Sequence, residues 1–384
     1  MTGPQEKIGA EVVVIGGGIV GCASAYYLAR RGLKVVLLEK GVIGGEASGR
    51  NGGGVRQQCR DRRERVLAMA SVQLWQGLEA ELGFDIEYQR GGNIRMATND
   101  KRMEDLQREG AEELQDGLVV ELWNRDELRR RAPYLSDAFV GAKYCPSDGT
   151  ANPILATRAF GWAAKRIGVT ILTRTEAVDI AVQAGHVTAV TGLAKAGDII
   201  IETPRVVHAG GPWTAPLASK LGIQPPIGPQ RTTIAVTQRL PPLFQEFVSS
   251  HDIGVYARQA REGQVHVGGV AVHEHTFDQS VPPDGLQFLA HGAAQMIPAL
   301  RGVNFLRAWS GTLEMTPDSV PIISPVDGVE GYLLASGFSG HGFCLGPIAG
   351  KLVSEWIVEG EPSIPLHDLS LTRFAENVNR RGTV

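Results

Sequence analysis

The chain has 384 residues, enough for about two or three lobes sharing a sizeable core and too many for a disulfide-stapled miniprotein. Its 38 Lys and Arg against 41 Asp and Glu give a net charge of −3, so no basic field exists to hold a phosphate backbone, and nucleic acid is not an expected partner. Apolar residues make up 43% and charged residues 21%, an ordinary globular balance, while 48 glycines without a collagen-like period point to tight turns and ligand-hugging loops.

The first ten residues contain Pro4, Glu6 and Lys7 and lack the basic, apolar and cleavage segments of an export signal. Val12–Ile15 is a short β-branched run ending in glycines, and a helix follows from Ile19 to Arg31, stopped by Gly32. The uncharged run Val12–Ala29 approaches the length of a membrane span, but Gly16, Gly17, Gly18 and Gly21 mark it as strand, turn and helix, so no transmembrane segment is expected. Lys34–Glu39 adds a second buried-type strand and completes a right-handed βαβ unit. Arg62–Leu82 reads as one helix, and charge-rich helices follow around Lys101–Gln115 and Arg125–Arg131.

Pro153–Arg166 reads as a helix feeding a strand at Val169–Leu172, and Val178–Ile201 alternates like a small meander. Arg205–Ala209 is another buried strand, leading into Gly210-Gly211. Strand-like segments at Thr232–Thr237, Gly254–Arg258 and Gln264–Val270, with one helix at Gly285–Met296, predict an antiparallel sheet. Gly331–Ser336 is a strand, and the last helix is expected over Pro347–Val358, stopped by Gly360. Nucleotide-type segments thus recur at the start, middle and end of the chain. The expected architecture is α/β with an added antiparallel sheet: one lobe from residues 1–95, 150–220 and 320–384, interleaved with a substrate lobe from 96–149 and 221–319.

Cys22, Cys59, Cys145 and Cys344 lie far apart with no metal-ligand spacing, which fits a reducing, cytoplasmic location. His266, His273 and His275 are split between faces by strand alternation, so no metal site is expected.

Gly16-x-Gly18-x-x-Gly21, after a strand and opening a helix at Ile19, is a dinucleotide fingerprint. It allows a tight turn at Gly16, close pyrophosphate approach at Gly18 and helix–strand packing at Gly21. Glu39, with Lys40 beside it, lies 23 residues beyond Gly16 at the end of the second strand, where a carboxylate can accept both ribose hydroxyls and would repel a 2′-phosphate. FAD and NAD both satisfy this pattern. A second glycine loop, Gly44–Arg56, carries Ser48, Gly52, Gly53, Gly54 and Val55, and can lie against a large flat ligand while donating N–H groups. A third, Ser336–Phe343, contains Gly337, Gly340, His341 and Gly342 and leads into the last helix, whose free N–H groups would stabilise negative charge.

Through Ser48–Arg56, Trp309–Asp318 and Gly337–Phe343 the sequence resembles the FAD-dependent amine and amino-acid oxidoreductases that include D-amino acid oxidase, glycine oxidase and sarcosine oxidase. Within them it is most similar to the flavin β subunits of heteromeric sarcosine oxidases and to proline, hydroxyproline or opine dehydrogenases. The resemblance covers essentially the whole chain. It implies a Rossmann-type FAD domain, a substrate domain on an antiparallel sheet and oxidation of a C–N bond. It further implies adenine contact at Val178, closure over the cofactor by Gly210, Gly211 and Trp213, and flavin contact by Gly340, His341, Gly342 and Phe343. Departures from the pattern carry their own implications. Cys344 stands where monomeric sarcosine oxidases have a lysine, and Gly311 where they attach flavin covalently, so non-covalent FAD is implied. Leu313 replaces the carboxylate-binding arginine of glycine oxidase, and Gly149–Pro153 lacks the histidine that holds a second flavin in sarcosine oxidase β subunits.

Flavin amine oxidation depends on positioning more than on side-chain chemistry. Arg56 is the first candidate to clamp a substrate carboxylate; Tyr256 and Arg258, flanking Ala257 and hence on one strand face, are candidate pocket residues. Trp309 is a candidate wall, His341 a candidate for orienting flavin, and Glu314 an acid in an apolar stretch with either a structural hydrogen bond or an amine- or guanidinium-binding role. The expected activity is FAD-dependent oxidation of a secondary or N-substituted amino acid such as sarcosine, proline, hydroxyproline or an opine. The alternative is a self-sufficient D-amino acid or glycine oxidase, including the cyanide-forming type. Because the matching sheet strand Gln264–Val270 has no lysine to activate oxygen, the expected electron acceptor is a partner subunit in a heteromer, or a quinone.

Overall fold

A computed structural model describes residues 6–269 and 274–375. Its centre is a six-stranded sheet in the order Ile322–Pro325, Tyr332–Ser336, Val206–His208, Val12–Ile15, Val35–Glu39 and Thr170–Thr173, parallel throughout except for the outermost strand Ile322–Pro325. The two strands read from the sequence as continuous apolar runs are buried on both faces, as parallel strands under double cover must be. Val12, Val14, Val35 and Leu37 pack toward the helices Ile19–Arg30, Pro153–Arg166 and Gly342–Glu359. Val13, Ile15, Val36 and Leu38 pack in a separate core with Ile180, Val190 and Ile201, from the four-stranded sheet formed by Glu6–Gly9, Gly197–Glu202, His186–Ala194 and Thr175–Gln183.

The second large layer is an eight-stranded sheet in the order Phe305–Met315, Gly228–Arg239, Gln264–Gly269, Val255–Gln259, Phe247–Ser250, Asn93–Ala97, Gly141–Cys145 and Glu121–Asn124. All its neighbours are antiparallel except Phe247–Ser250 beside Asn93–Ala97. Ala235, Val265 and Val267 share an apolar core with Leu289, Ala293 and Met296 of the helix Pro283–Met296. A two-residue ladder, Gly54-Val55 against Gly149-Thr150, ties the second glycine loop to the start of the helix at Pro153.

Two helices differ from expectation. The span expected as one helix breaks into Arg62–Trp75 and Leu78–Leu82, because Gly77 weakens the junction and Gly83 ends the second piece at a φ of 74°. The last helix begins at Gly342, not Pro347, so the proline lies inside it. Proline there removes one intrahelical bond. The neighbouring carbonyl of Cys344 is supported from outside the helix, accepting from Ser71 Oγ at 2.6 Å and Trp75 Nε1 at 2.9 Å. The strand expected over Gln264–Val270 is described as Gln264–Gly269, and Val270 and His273 lie outside the described residues. Asn93–Ala97, Gly141–Cys145 and Glu121–Asn124 complete the large sheet without having been expected as strands. Among the described residues no helix is long and apolar enough to cross a membrane.

Candidate cofactor and substrate site

The first glycine turn is built so that backbone touches backbone. Gly16 has a φ of 108°, and a Cβ there would lie 2.2 Å from the Ala209 carbonyl oxygen; one on Gly21 would lie 1.9 Å from the Gly16 oxygen. Gly18 caps the helix Ile19–Arg30 with no side chain of its own, and Ser48 Oγ reaches across to accept from the Ile19 N–H at 3.0 Å. Glu39, 9% exposed, accepts from the Gly17 N–H at 2.7 Å and the Gly41 N–H at 2.6 Å. Burial raises its carboxyl above the ordinary range, and those two amides oppose the shift.

Gly16, Gly18, Glu39, Lys40 and Ser48 line one side of a cleft whose other side carries Val178, Gly210, Gly211 and Trp213. Val178 sits at a β-bulge between Ala177 and Asp179, and its carbonyl accepts from Lys220 Nζ at 2.7 Å. Lys40 Nζ stands 3.0 Å above the Trp213 ring centre, bridging the two walls. Ile19 and Gly21 lie behind the wall in the helix itself. The bare helix start, the glycines that admit close approach and the carboxylate at the strand end fit an adenine dinucleotide with its diphosphate. Lys220 and Glu176 also line this cleft and were not foreseen; the short helix Thr214–Ala218 after Gly-Gly-Pro-Trp, and the bulge at Val178, bring them in.

Glu314 extends the cleft toward the third glycine loop. It lines the cavity and accepts from the Gly337 N–H at 2.8 Å. Burial pushes its carboxyl up to about 7, against the pull of the Gly337 and Phe338 amides. Its hydrogen bonds are therefore structural ones to the loop. Gly337 and Gly340 take φ values of 77° and 84°, and His341 caps the last helix. Phe343 packs against Trp75 with ring centres 5.0 Å apart. His341 Nδ1 lies 2.7 Å from Glu64 Oε1, and burial lowers the imidazole to about 4. Cys344 is buried, its thiol is raised by desolvation, and its Sγ meets the Arg56 carbonyl at 3.4 Å.

The large sheet closes over the second glycine loop. Tyr256 stacks on Phe247 with centres 5.1 Å apart, and its ring lies so close that a Cβ on Gly52 or Gly268 would approach it to 2.4 or 2.2 Å. Arg258 places its guanidinium 3.3 Å from where a Gly53 Cβ would be. Arg258 is 4% exposed, makes no hydrogen bond or ion pair among the described residues, and has an enclosed Nε without a partner. Burial accordingly lowers its pKa. His266, its cross-strand partner, stands edge-on to Trp309 at 6.0 Å and is lowered to about 3 by burial and then by Arg258. Trp309 Nε1 donates to the Arg50 carbonyl at 3.1 Å.

The structure thus brings Tyr256, Arg258 and Trp309 together around residues 50–53. Arg56 is engaged elsewhere: it donates to the Gln58 carbonyl and, at 3.0 Å, to that of Cys59. Arg50, Gln279 and His266 join the group without having been expected in it. Arg50 reaches Gln279 Oε1 at 2.7 Å and the Ser310 carbonyl at 3.0 Å. Its position inside the glycine loop was a readable signal; Gln279 had none.

Residues 11–356 match the family model described as DAO: FAD dependent oxidoreductase. The glycine oxidase of Geobacillus kaustophilus (strain HTA426) is 29% identical over 377 residues, which cover 96% of this chain and 98% of that protein. The mitochondrial dimethylglycine dehydrogenase of Rattus norvegicus is 26% identical over 409 residues, covering 97% of this chain but 46% of that protein, so the chain spans about half of its length. Among solved structures, L-proline dehydrogenase from P. horikoshii superposes with a TM-score of 0.91 at 31% identity, over 97% of this chain and 99% of that one.

Proposed function

Because the chain belongs to the DAO family of FAD-dependent oxidoreductases, we propose that it oxidises the C–N bond of a secondary or N-substituted amino acid, of sarcosine, proline, hydroxyproline or opine type. The product is an imine that hydrolyses to a carbonyl compound and an amine. The observation that carries this reading is Arg258. A guanidinium enclosed without an acid is costly unless an anion completes it, and an amino acid's carboxylate is such an anion.

When bound, FAD supplies the hydride acceptor. The chain's own residues do the holding. Gly16 and Gly18, which line the cleft, would hold the diphosphate with the start of the helix at Ile19, and Glu39 would accept from the ribose hydroxyls. Ser48, Gly52, Gly53 and Gly54 would hold the ring system through their loop, with Val55 fixing that loop from the core, and Gly337, Gly340, His341, Gly342 and Phe343 would hold it through theirs. Arg258 anchors the substrate carboxylate, while Tyr256 and Trp309 wall the pocket and exclude water. Arg56, bound to two carbonyls, shapes the loop rather than the substrate. FAD is held without a covalent bond. The strand Gln264–Gly269 carries no lysine, which supports an electron acceptor other than oxygen, supplied by a partner subunit or a quinone.

A second reading, a self-sufficient glycine or D-amino acid oxidase, is favoured by the similarity to glycine oxidase over nearly the whole of both chains. Anaerobic mixing of the FAD-loaded chain with sarcosine, L-proline, hydroxyproline, opines, glycine and D-amino acids tests both. Bleaching of the flavin band by a secondary amino acid, with slow reoxidation in air, is expected. Bleaching by glycine or D-amino acids alone, with prompt peroxide formation in air, would replace the first reading by the second.

A further inference from the structure

Glu64 has no part in the reading above, yet it is a carboxylate without solvent exposure on the helix Arg62–Trp75. Its Oε1 stands 2.7 Å from His341 Nδ1 and 3.6 Å from Arg60 Nη1, close pairings of charge that lack hydrogen-bond alignment, and neither carboxylate oxygen makes a hydrogen bond among the described residues. Burial works against its ionisation, but His341, Arg60 and Arg56 together hold its carboxyl below the ordinary range. The imidazole is asymmetric in its surroundings. Nδ1 is enclosed against Glu64, while the side chain as a whole keeps 22% exposure, so the open edge of the ring is the one that carries Nε2.

An ionised carboxylate 2.7 Å from Nδ1 repels a nitrogen lone pair there and attracts a nitrogen that carries hydrogen, and burial keeps the imidazole neutral near pH 7. The single ring proton then belongs on Nδ1, leaving a lone pair on Nε2. His341 caps the last helix directly after Gly340, at the loop assigned above to the cofactor. We propose that Glu64 is a positioning residue of this site: it fixes His341 as the Nδ1–H tautomer, so that Nε2 accepts a hydrogen bond from an N–H of bound FAD instead of donating one. This rests on the reading that the cleft holds FAD.

The test begins with the full chain before FAD is added, by long-range proton–nitrogen correlation of ¹⁵N-labelled histidines near pH 7, with His341 assigned by comparison with His341→Gln. The expected wild-type pattern is a protonated Nδ1 and an unprotonated Nε2. In Glu64→Gln the amide oxygen keeps partial negative charge beside Nδ1, so the tautomer persists and FAD affinity stays within about threefold; in Glu64→Leu the proton moves to Nε2 and FAD binds roughly tenfold more weakly. An Nε2–H tautomer in the wild type would overturn the proposal whether or not Glu64→Leu folds. So would a Glu64→Leu chain whose tautomer or FAD affinity is unchanged. A chain that takes up no FAD at all would overturn the functional reading itself, whereas an Nε2–H tautomer in a chain that binds FAD removes only the role given to Glu64.

Discussion

The two ends of the site are made of different materials. At the nucleotide end, contact is made by backbone: Gly16 and Gly21 leave no room for a side chain, a Cβ on Gly18 would lie 3.0 Å from Ser48 Oγ, and one carboxylate, Glu39, is pinned by two amides. At the sheet-covered end, contact is made by side chains from three strands of the large sheet, with Tyr256 and Arg258 against Gly52 and Gly53 and Trp309, beside His266, on the Arg50 carbonyl. The first end is satisfied within the protein and preformed. The second holds a buried cation, Arg258, with no partner among the described residues. Binding a constant group calls for fixed backbone geometry, whereas selecting a substrate calls for an unfilled charge in a side-chain wall.

The nucleotide end should be the more brittle to change. In Gly21→Ala the new methyl would sit 1.9 Å from the Gly16 carbonyl oxygen, a backbone atom that cannot give way without displacing the strand–helix turn. We expect a loss of about 3 kcal/mol or more in unfolding free energy, together with loss of stable FAD binding, read by denaturant titration and flavin absorbance. A variant that folds normally and retains FAD would show that this turn is not the rigid element described.

The sheet end should separate binding from stability. Arg258→Met removes a buried charge that has no partner among the described residues, so thermal stability is expected to rise or stay level. The same change should raise KM for the amino acid about 100-fold while leaving the bound flavin spectrum in place. Unchanged KM with lost stability would instead make Arg258 structural and dissolve the contrast between the two ends.

Glu314 joins the two ends, and its titration reports on the loop it holds. Its carboxyl, raised from an ordinary value near 4.5 to about 7, is protonated in the folded chain over a range where the unfolded chain has already released the proton. The folded state then binds more protons, and stability falls as pH rises between about 4.5 and 7. Because the carboxyl borders the cavity, the effect is discounted for solvent to roughly 2 kcal/mol. Thermal unfolding of the FAD-free chain at pH 5 and 8, compared with Glu314→Gln, checks it: the wild type should lose stability relative to the variant on going to pH 8. A constant difference between the two would refute it.

What could be read from the sequence follows the same division. The βαβ unit, the glycine fingerprint and Glu39 lie within 40 consecutive residues, so their spacing alone carries the geometry. Tyr256 and Arg258 could be placed on one face from strand alternation, but their meeting with Gly52 and Gly53, some 200 residues earlier, depends on the register of the eight-stranded sheet. Arg56 illustrates the limit. Its residue type and loop suggested a carboxylate clamp, but its Nη1 donates to carbonyls within three residues, a local competition that no pattern reports. Pro347 misled for the opposite reason: proline usually opens helices, and here Ser71 and Trp75 support the helix around it from another element.

The gentlest test falls on the seam between the two ends. Ser48 belongs to the second glycine loop, yet its hydroxyl completes the first helix by accepting from Ile19 N–H at 3.0 Å, 29 residues away. It thus stands in for the cap that Gly18, chosen for its lack of a side chain, cannot provide. Ser48→Ala leaves that N–H without its partner but creates no clash, so the expected cost is about 1 kcal/mol in stability. FAD affinity, measured by fluorescence titration, should fall by only a few-fold, and KM for the amino acid should not move, because the substrate end does not touch this cap. A KM that rose along with the FAD dissociation constant would mean that the two ends are mechanically coupled through the loop, and that the preformed end also sets the shape of the sheet-covered one.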